Sequence, residues 1–474
     1  MNFARTMPGW EVVFVFFTLV LLSVGSLYYL NSVETPFSIW LLVLIPAVPL
    51  FMLVMHKPQI GFYLSVLSFM LDSQTIPGPM NLSVSNVLLV VTLVAICIRR
   101  VTASRTPSNR EFGRVDKPTL LLGGCLLVAA LLSLFVAQFP ETVLRMMVTL
   151  MGGLTVLYLT QVLSPDLSRV VKIVKFYVWG AVVCAGLGVL QSLLAGLDIY
   201  SWGINYSEVG RFSLPLPRVT STWLDPNIFG LFLLPAIFYA LAVLTGKVTR
   251  LVVVTILLSG VALSYSRTAW TSVVIGLLVY WGAGLLSSKS SRPRSLPHAA
   301  LRGYLAVLVP LGVGLIVWRA GIWEWLVDLN RESVDLRVDL NLVAWRYFQS
   351  SPIFGIGPGN FWEIFNTISH NSFLAVLVEY GLVGGLAWCV MLGITTWRAM
   401  KIIFGRVDEA LKRLMLCSVG AFVGLLAGGL AIEIQNAKFV WLTLAMITAL
   451  SLQTPRDLLT VVPGDQRSRP HAKN

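Results

Sequence analysis

The chain has 474 residues, of which 56% are hydrophobic and 12% are charged, and its formal net charge is +13. Soluble domains contain roughly 25% charged residues, so this composition excludes an ordinary water-soluble protein. Apolar stretches recur from end to end, and each is long enough to cross a hydrocarbon core about 30 Å thick. A membrane β-barrel would instead show alternating segments of about ten residues. We therefore predict an all-α polytopic membrane protein.

The apolar stretches predict about 14 membrane spans. In chain order they cover residues 10–30, 37–55, 60–72, 82–98, 119–136, 142–163, 173–195, 226–245, 250–264, 268–286, 301–318, 371–396, 412–432 and 438–453. The third and ninth of these are short. The first is too long for a signal-peptide core and has no small-residue cleavage site after it, so no cleavable signal peptide is expected.

Positive charge divides the loops between these spans into two sets. Alternating the loops places 26 of the 35 lysines and arginines on one side of the membrane. Because lysine and arginine accumulate in cytoplasmic loops, this side is predicted to be the cytoplasm and to hold both termini. The basic segment 99–117 is then an orientation signal beside membrane lipids, and nucleic acid is not an expected partner.

Two long loops, near 196–225 and 319–370, fall on the outer side, and long loops of this kind are usually functional. The second loop predicts an amphipathic helix that ends before Pro352. Its apolar stripe comprises Val338, Leu342, Trp345 and Phe348, and a neighbouring stripe holds Arg337, Asn341 and Ala344. Such a helix fits the bilayer surface, where its arginines either contact headgroups or reach inward to bind an anion.

The same loop ends with two further features. GIGPGNF (355–361) has three glycines that allow positive φ, but it lacks the lysine of a Walker loop and predicts only a tight turn. His370 precedes the next span, with Ser369 as its expected helix cap. The positive helix end disfavours imidazolium, and a neutral imidazole is what a general base requires near pH 7. The alternative is an interfacial histidine against headgroups. Glu379 lies half a turn away and is expected to face another helix.

Two arginines stand at other outer junctions. Arg267, in SYSRTAW (264–270), lies near the hydrocarbon, where a charged side chain either snorkels or faces the bundle interior and a partner. Downstream of Arg218, Asp225 and Pro226 predict the cap and first residue of a span. Arginine binds phosphate oxygens bidentately and keeps its charge. Three arginines and a neutral histidine would suit transfer of a group from a diphosphate lipid to an alcohol.

These segments, in this order, resemble the O-antigen ligase and polymerase superfamily of bacterial membrane glycosyltransferases. The resemblance rests on RVTSTWLDPN (218–227), SRTA (266–269), Arg337, Trp345, PIFGIGPGNF (352–361), HNSFL (370–374) and EYGLVG (379–384). It covers about residues 215–390, and the N-terminal spans match only in being hydrophobic.

The resemblance implies a GT-C-type fold with about 12 to 14 transmembrane helices. Its large periplasmic loop would lie between the spans near 301–318 and 371–396. Members take a glycan from undecaprenyl pyrophosphate at the periplasmic face of the inner membrane, without a metal or a cofactor. By this resemblance His370 carries the general-base role. Arg267 and Arg337 bind the pyrophosphate, and Arg218 and Asn371 are further substrate-binding candidates.

The predicted organisation has three regions. Residues 1–200 hold N-terminal transmembrane helices, 201–396 the ligase-like catalytic region, and 397–474 C-terminal helices and a cytoplasmic tail. The acceptor stays open between lipid A–core, a second lipid-linked glycan and a protein hydroxyl. The alternative class is a non-catalytic transporter or flippase for lipid-linked glycans, which would favour midplane polar residues and internal repeats. No internal repeat is found, and a purely structural subunit leaves the outer arginines unexplained.

Overall fold

The structure is a computed structural model that describes residues 48–73, 75–76, 82–103, 112–197, 204–208, 215–287, 331–405 and 407–453. The described part of the chain is almost entirely helical. The predicted spans 10–30 and 301–318 lie outside the described residues, as do both termini and residues 319–330. Of the predicted span 37–55, only residues 48–55 are described, and they are helical.

Every predicted span that falls wholly on the described residues is helical over most of its length. The first half of the chain contains α1 (Pro58–Leu67), α2 (Val84–Ala103), α3 (Lys117–Ser133), α4 (Pro140–Val162) and α5 (Leu167–Gly196). The second half contains α6 (Pro226–Val243), α7 (Lys247–Leu263), α8 (Arg267–Ser287), α9 (Arg331–Ser350), α10 (Asn360–Phe365), α11 (Ser372–Phe404), α12 (Glu409–Gly429) and α13 (Lys438–Leu452).

Seven of the described helices are long and apolar enough to cross a membrane, namely α2, α4, α5, α6, α8, α11 and α12. Helices α3 and α13, and α1 with the 3-10 turn after it, are apolar but shorter. The expected shortness of the spans near 60–72 and 250–264 is confirmed, since α1 has 10 residues and α7 has 17. The protein is therefore a multi-pass helical membrane protein.

Aspartate caps begin several of these helices, as side-chain oxygens preferably do at the N-terminal turn. Asp225 Oδ1 accepts hydrogen bonds from the backbone N–H groups of Asn227 and Ile228, at 2.6 and 3.3 Å. Pro226 follows it in the first turn of α6, where its missing N–H is not needed. The cap predicted for Asp225 and Pro226 is thus confirmed.

Contacts between helix ends show that the helices run up and down through the bundle. At one end, Lys438 in the first turn of α13 pairs with Asp72 after α1, at 3.0 Å. At the opposite end, Arg398 on α11 forms two hydrogen bonds of 2.6 and 2.7 Å with Asp116 before α3. We call the first of these the site end, because it also carries His370.

Helix α6 lies at the centre of the bundle and packs against α5, α7, α8 and α12. Its phenylalanines 229, 232 and 238 are buried. Glycines allow α8 and α12 to approach closely: a Cβ at Gly276 would lie 2.6 Å from the carbonyl oxygen of Gly420. Small residues are common at such crossings in membrane proteins. The hydrophobic effect does not drive helices together in lipid, so close van der Waals packing must do so.

Two short antiparallel hairpins, which the all-α prediction does not include, lie between helices. β1 (Thr75–Ile76) pairs with β2 (Leu82–Ser83). β3 (Ile204–Glu208) pairs with β4 (Pro215–Val219), and Asn205 stands opposite Arg218. The second hairpin occupies part of the predicted outer loop 196–225 and brings Arg218 to the site end.

Candidate functional site

Arg218 joins two of the sequence segments that precede α6 and α8. Its Nε donates to the carbonyl oxygen of Ser264 at 3.2 Å, and its Nη2 donates to Asn227 Oδ1 at 3.1 Å. The Ser266 hydroxyl donates to the same Asn227 oxygen at 2.8 Å. Two N–H groups of Arg218 are therefore committed to the protein, and its guanidinium holds the start of α6 against the start of α8.

Arg267 is the first residue of α8, directly after a sharp turn. Tyr265 in that turn has a φ of 47°, and the Ser266 hydroxyl accepts a hydrogen bond from Ala269 N at 3.2 Å, as a helix cap does. Burial lowers the pKa of Arg218, the Asp225 charge opposes this effect, and the charges of Arg267 and Arg337 add to it. Arg218 is thus within electrostatic range of both other arginines.

The amphipathic helix predicted before Pro352 is α9, which ends at Ser350. Its predicted apolar stripe is mostly exposed, with Val338, Leu342 and Trp345 about half accessible. Ala344, seven residues after Arg337, is fully buried against α11. Seven residues are nearly two helical turns, so Arg337 lies above Ala344 on the inward face. This orientation favours the inward-reaching arginine over a headgroup contact.

His370 occupies the turn before α11. Its φ of 56° places it in the left-handed region, and its side chain is half-buried. Burial lowers the pKa of His370 below its ordinary 6.5, the Arg337 charge lowers it further, and Asp225 opposes both effects. Among the described residues, nothing hydrogen-bonds to its buried Nδ1 atom. A neutral imidazole can accept a proton from a bound hydroxyl through the ring nitrogen that carries no hydrogen.

The residues on either side of His370 differ from the expectation in which of them caps α11. Asn371, not Ser369, caps α11, because its Oδ1 accepts from Phe373 N and Leu374 N at 3.0 and 3.1 Å. The Ser369 cap was wrong, since a cap must directly precede the first helical residue, Ser372. The Oδ1 atom of Asn371 is therefore engaged within the protein, and a substrate contact by Asn371 stays a prediction.

The glycine loop docks onto a break in α11. At the break, Gly381 has a φ of 63° and a ψ of −166°. Ile356 N and Gly357 N donate to the carbonyl oxygens of Val378 and Glu379 at 2.8 and 3.0 Å. In return, Leu382 N donates to the carbonyl oxygen of Pro352 at 2.8 Å. The segments 352–361 and 379–384 therefore form one unit.

Glu379 belongs to this unit. Its Oε1 accepts a hydrogen bond from the backbone N–H of Gly359 at 2.8 Å, at the N-terminus of α10. The three loop glycines have positive φ, as the tight turn predicted. A Cβ at Gly355 would lie 2.5 Å from the backbone of Glu379, so only glycine allows this approach.

A second set of contacts ties the loop to α4. Asn360 is fully buried, accepts from Phe139 N at 2.8 Å and donates to the Phe139 carbonyl oxygen at 3.2 Å. Glu363 on α10 accepts from the Thr142 hydroxyl at 2.8 Å and pairs with Arg145 at 3.3 Å. The segment between α9 and α11 is thus held on two sides, by α4 and by the break in α11, ahead of the turn that carries His370.

We expect Gly381→Ala to destabilise the protein by about 3 kcal/mol or more, because its backbone conformation is nearly exclusive to glycine and a Cβ would collide with the Ile353 carbonyl oxygen. Gly393→Ala is the matched control on the same helix, since a Cβ there meets nothing within 4 Å. Reversible unfolding in mixed detergent micelles measures both. Equal stability of the two variants would show that the loop does not depend on the break.

Backbone strain marks the site end in a way that composition does not reveal. In the described part of the chain, the non-glycine residues with positive φ are Ser221, Tyr265, Asn366 and His370. Each lies in a segment that directly precedes α6, α8 or α11. Such conformations persist only where the surroundings impose them, and they cluster at functional sites.

One known protein family matches the part of the chain that holds most of the candidate site residues. Residues 251–389 match the family model described as O-antigen ligase. The matched segment contains Arg267, Arg337, His370 and Asn371, whereas Arg218 precedes it. No curated protein sequence matches the chain. The segment that carries the candidate histidine therefore belongs to the O-antigen ligase and polymerase superfamily.

Proposed function

We propose that this protein is a membrane glycosyltransferase that moves a glycan from undecaprenyl pyrophosphate to an acceptor hydroxyl. The family match supports a membrane glycan-processing function of the ligase or polymerase type. The observation that carries the proposal further is the half-buried imidazole of His370, whose Nδ1 atom has no hydrogen-bond partner among the described residues and whose pKa is lowered by burial and by the charge of Arg337. This combination favours a proton acceptor next to a site for an anionic donor.

In the proposed reaction, the acceptor oxygen attacks the anomeric carbon of the donor glycan. His370 takes the hydroxyl proton as the new carbon–oxygen bond forms. The bond between the anomeric carbon and the phosphate oxygen breaks, and the pyrophosphate leaves with the electron pair. The product is one new glycosidic bond, and the proton passes from His370 to water.

Arg267 and Arg337 are proposed to bind the departing pyrophosphate. Guanidinium groups keep their charge and match phosphate oxygens with two parallel hydrogen bonds. Arg218 has two N–H groups committed to Ser264 and Asn227, so its proposed contribution is its charge and the placement of α6 beside α8. With these cations in place, the proposed chemistry requires no metal.

The proposal places the reaction at the periplasmic face of the bacterial inner membrane, with both termini in the cytoplasm. The bias of lysine and arginine supports this orientation. The proposed catalytic region is 201–396, which contains all five candidate residues. The acceptor is lipid A–core for a ligase or another lipid-linked glycan for a polymerase, and a protein hydroxyl is the alternative within the same chemistry.

Reconstitution of the purified protein in vesicles with an undecaprenyl pyrophosphate-linked glycan tests the function directly. Each vesicle preparation receives one acceptor, either lipid A–core, a second lipid-linked glycan or a serine-rich peptide. We expect glycan transfer to one of the first two acceptors, detected as a mass shift of that acceptor. Movement of the donor between leaflets without transfer to any acceptor would support the transporter alternative instead.

The pH dependence of transfer follows from the charge state of His370. We expect kcat/KM to be constant near neutral pH and to fall about tenfold per pH unit on the acid side, with an inflection below 6.5. Protonation removes the base as pH falls through its lowered pKa. Asp225→Asn retains a capping side chain but removes a charge that favours imidazolium, so the inflection should move to lower pH.

The wild-type profile measured in the same vesicles is the reference for this shift. An inflection that is unchanged in Asp225→Asn, or one above 6.5 in the wild type, would contradict the assignment of the acid limb to His370.

A further inference from the structure

Glu433 contacts the turn that carries His370. It lies in the loop 430–437 between α12 and α13, beyond the segment that matches the family model. Its Oε1 accepts two hydrogen bonds from Ser369, one from the backbone N–H at 2.6 Å and one from the hydroxyl at 2.7 Å. Burial raises the pKa of Glu433, and the two bonds from Ser369 oppose that rise.

A second connection holds the other side of the same turn. The Ser372 hydroxyl donates to the Ile432 carbonyl oxygen and accepts from Ile434 N, both at 2.9 Å. His370 therefore lies between two anchors, Ser369 and Ser372, that are both fixed to residues 432–434. Its left-handed backbone conformation needs such support, because a side chain other than glycine adopts it only at some cost.

We propose that Glu433 is a positioning residue for the transfer reaction, which holds Ser369 so that the imidazole of His370 stays directed at the arginines. The inference rests on the proposed function. Glu433 contacts Ser369 and acts through that contact, with no proton passing along it. A displacement of the base by about 1 Å is enough to slow a reaction by about 10²-fold.

Two substitutions separate this role from a purely electrostatic one. Glu433→Ala removes the acceptor of both hydrogen bonds, whereas Glu433→Gln keeps a carbonyl oxygen that accepts them. We expect Glu433→Ala to lower kcat by about 10- to 100-fold with the donor KM within about twofold, because the donor-binding arginines stay in place. Glu433→Gln should recover kcat to within about threefold of the wild type.

Glu141→Ala is the matched control, because Glu141 is an exposed glutamate at the start of α4 and also lies at the site end. Its kcat should equal that of the wild type. Ser369→Ala removes one of the two bonds and keeps the backbone bond, so we expect a smaller loss of about three- to tenfold in kcat. This variant provides the test if Glu433→Ala does not insert.

Three results would overturn the inference: full kcat in Glu433→Ala, full kcat in Ser369→Ala, or a Glu433→Gln variant as slow as Glu433→Ala. The last result would mean that the negative charge matters and the hydrogen bonds do not. The underlying function is judged separately with His370→Ala. Transfer by that variant would contradict the base role itself, whereas its inactivity together with a fully active Glu433→Ala would contradict only the positioning role.

Discussion

His370→Ala should lower the rate of glycan transfer by about 10²- to 10⁴-fold, while the protein still inserts and purifies normally. The variant removes the proposed proton acceptor, and the acceptor hydroxyl must then attack without a base. The position tolerates the change structurally, because the imidazole is half-buried and, among the described residues, nothing hydrogen-bonds to its Nδ1. Transfer in reconstituted vesicles, measured under single-turnover conditions, gives the rate of the chemical step.

His56→Ala is the control for loss of a histidine, since His56 is exposed at the opposite end of the bundle. It should transfer glycan at the wild-type rate. A His370→Ala rate within about twofold of the wild type would show that another group, or water alone, accepts the proton.

Arg267→Ala and Arg337→Ala should each slow transfer by about 10²- to 10³-fold, since loss of one charged donor to a developing oxyanion costs about 3 to 4 kcal/mol. The pyrophosphate gains negative charge as it leaves, so the loss should appear mainly in kcat. Lysine keeps the charge but not the paired hydrogen bonds, so Arg267→Lys and Arg337→Lys should recover only part of the rate.

Arg346→Ala is a matched control for the second of these variants. Arg346 is exposed on the same helix as Arg337, and a separation of nine residues places it on the opposite side of α9. It should retain the wild-type rate. Equal effects of Arg337→Ala and Arg346→Ala would indicate that α9 acts through general attraction to headgroups.

Local sequence patterns were sufficient to predict much of the helical framework. The apolar stretches predicted the positions of the described helices other than α9 and α10, because a membrane span must be long, apolar and internally hydrogen-bonded. The cap at Asp225 and Pro226 was equally local, since it depends on atoms within three residues. The sequence left two directions open for Arg337, and the burial of Ala344 on the same helix favours the inward one.

Other features depend on contacts between distant segments and have no local signal. Glu433 lies 64 residues after Ser369, and nothing in its own surroundings marks it as a partner of that turn. The break at Gly381 becomes visible only when the loop from Pro352 docks against it. The β3–β4 hairpin, which places Arg218 at the site end, was not predicted from the sequence because its strands are short and lie within a loop. The order of the motifs nevertheless indicated that these segments act together.

The central claim is that a neutral His370 and the guanidinium groups of Arg267 and Arg337 face one bound donor. An electron cryo-microscopy structure of the His370→Ala protein with a lipid-linked glycan, trapped before transfer, tests it most directly. We expect the pyrophosphate oxygens to lie about 2.7 to 2.9 Å from the nitrogens of both arginines, with the anomeric carbon beside residue 370. A pyrophosphate bound at the opposite end, near Asp116 and Arg398, would contradict the account.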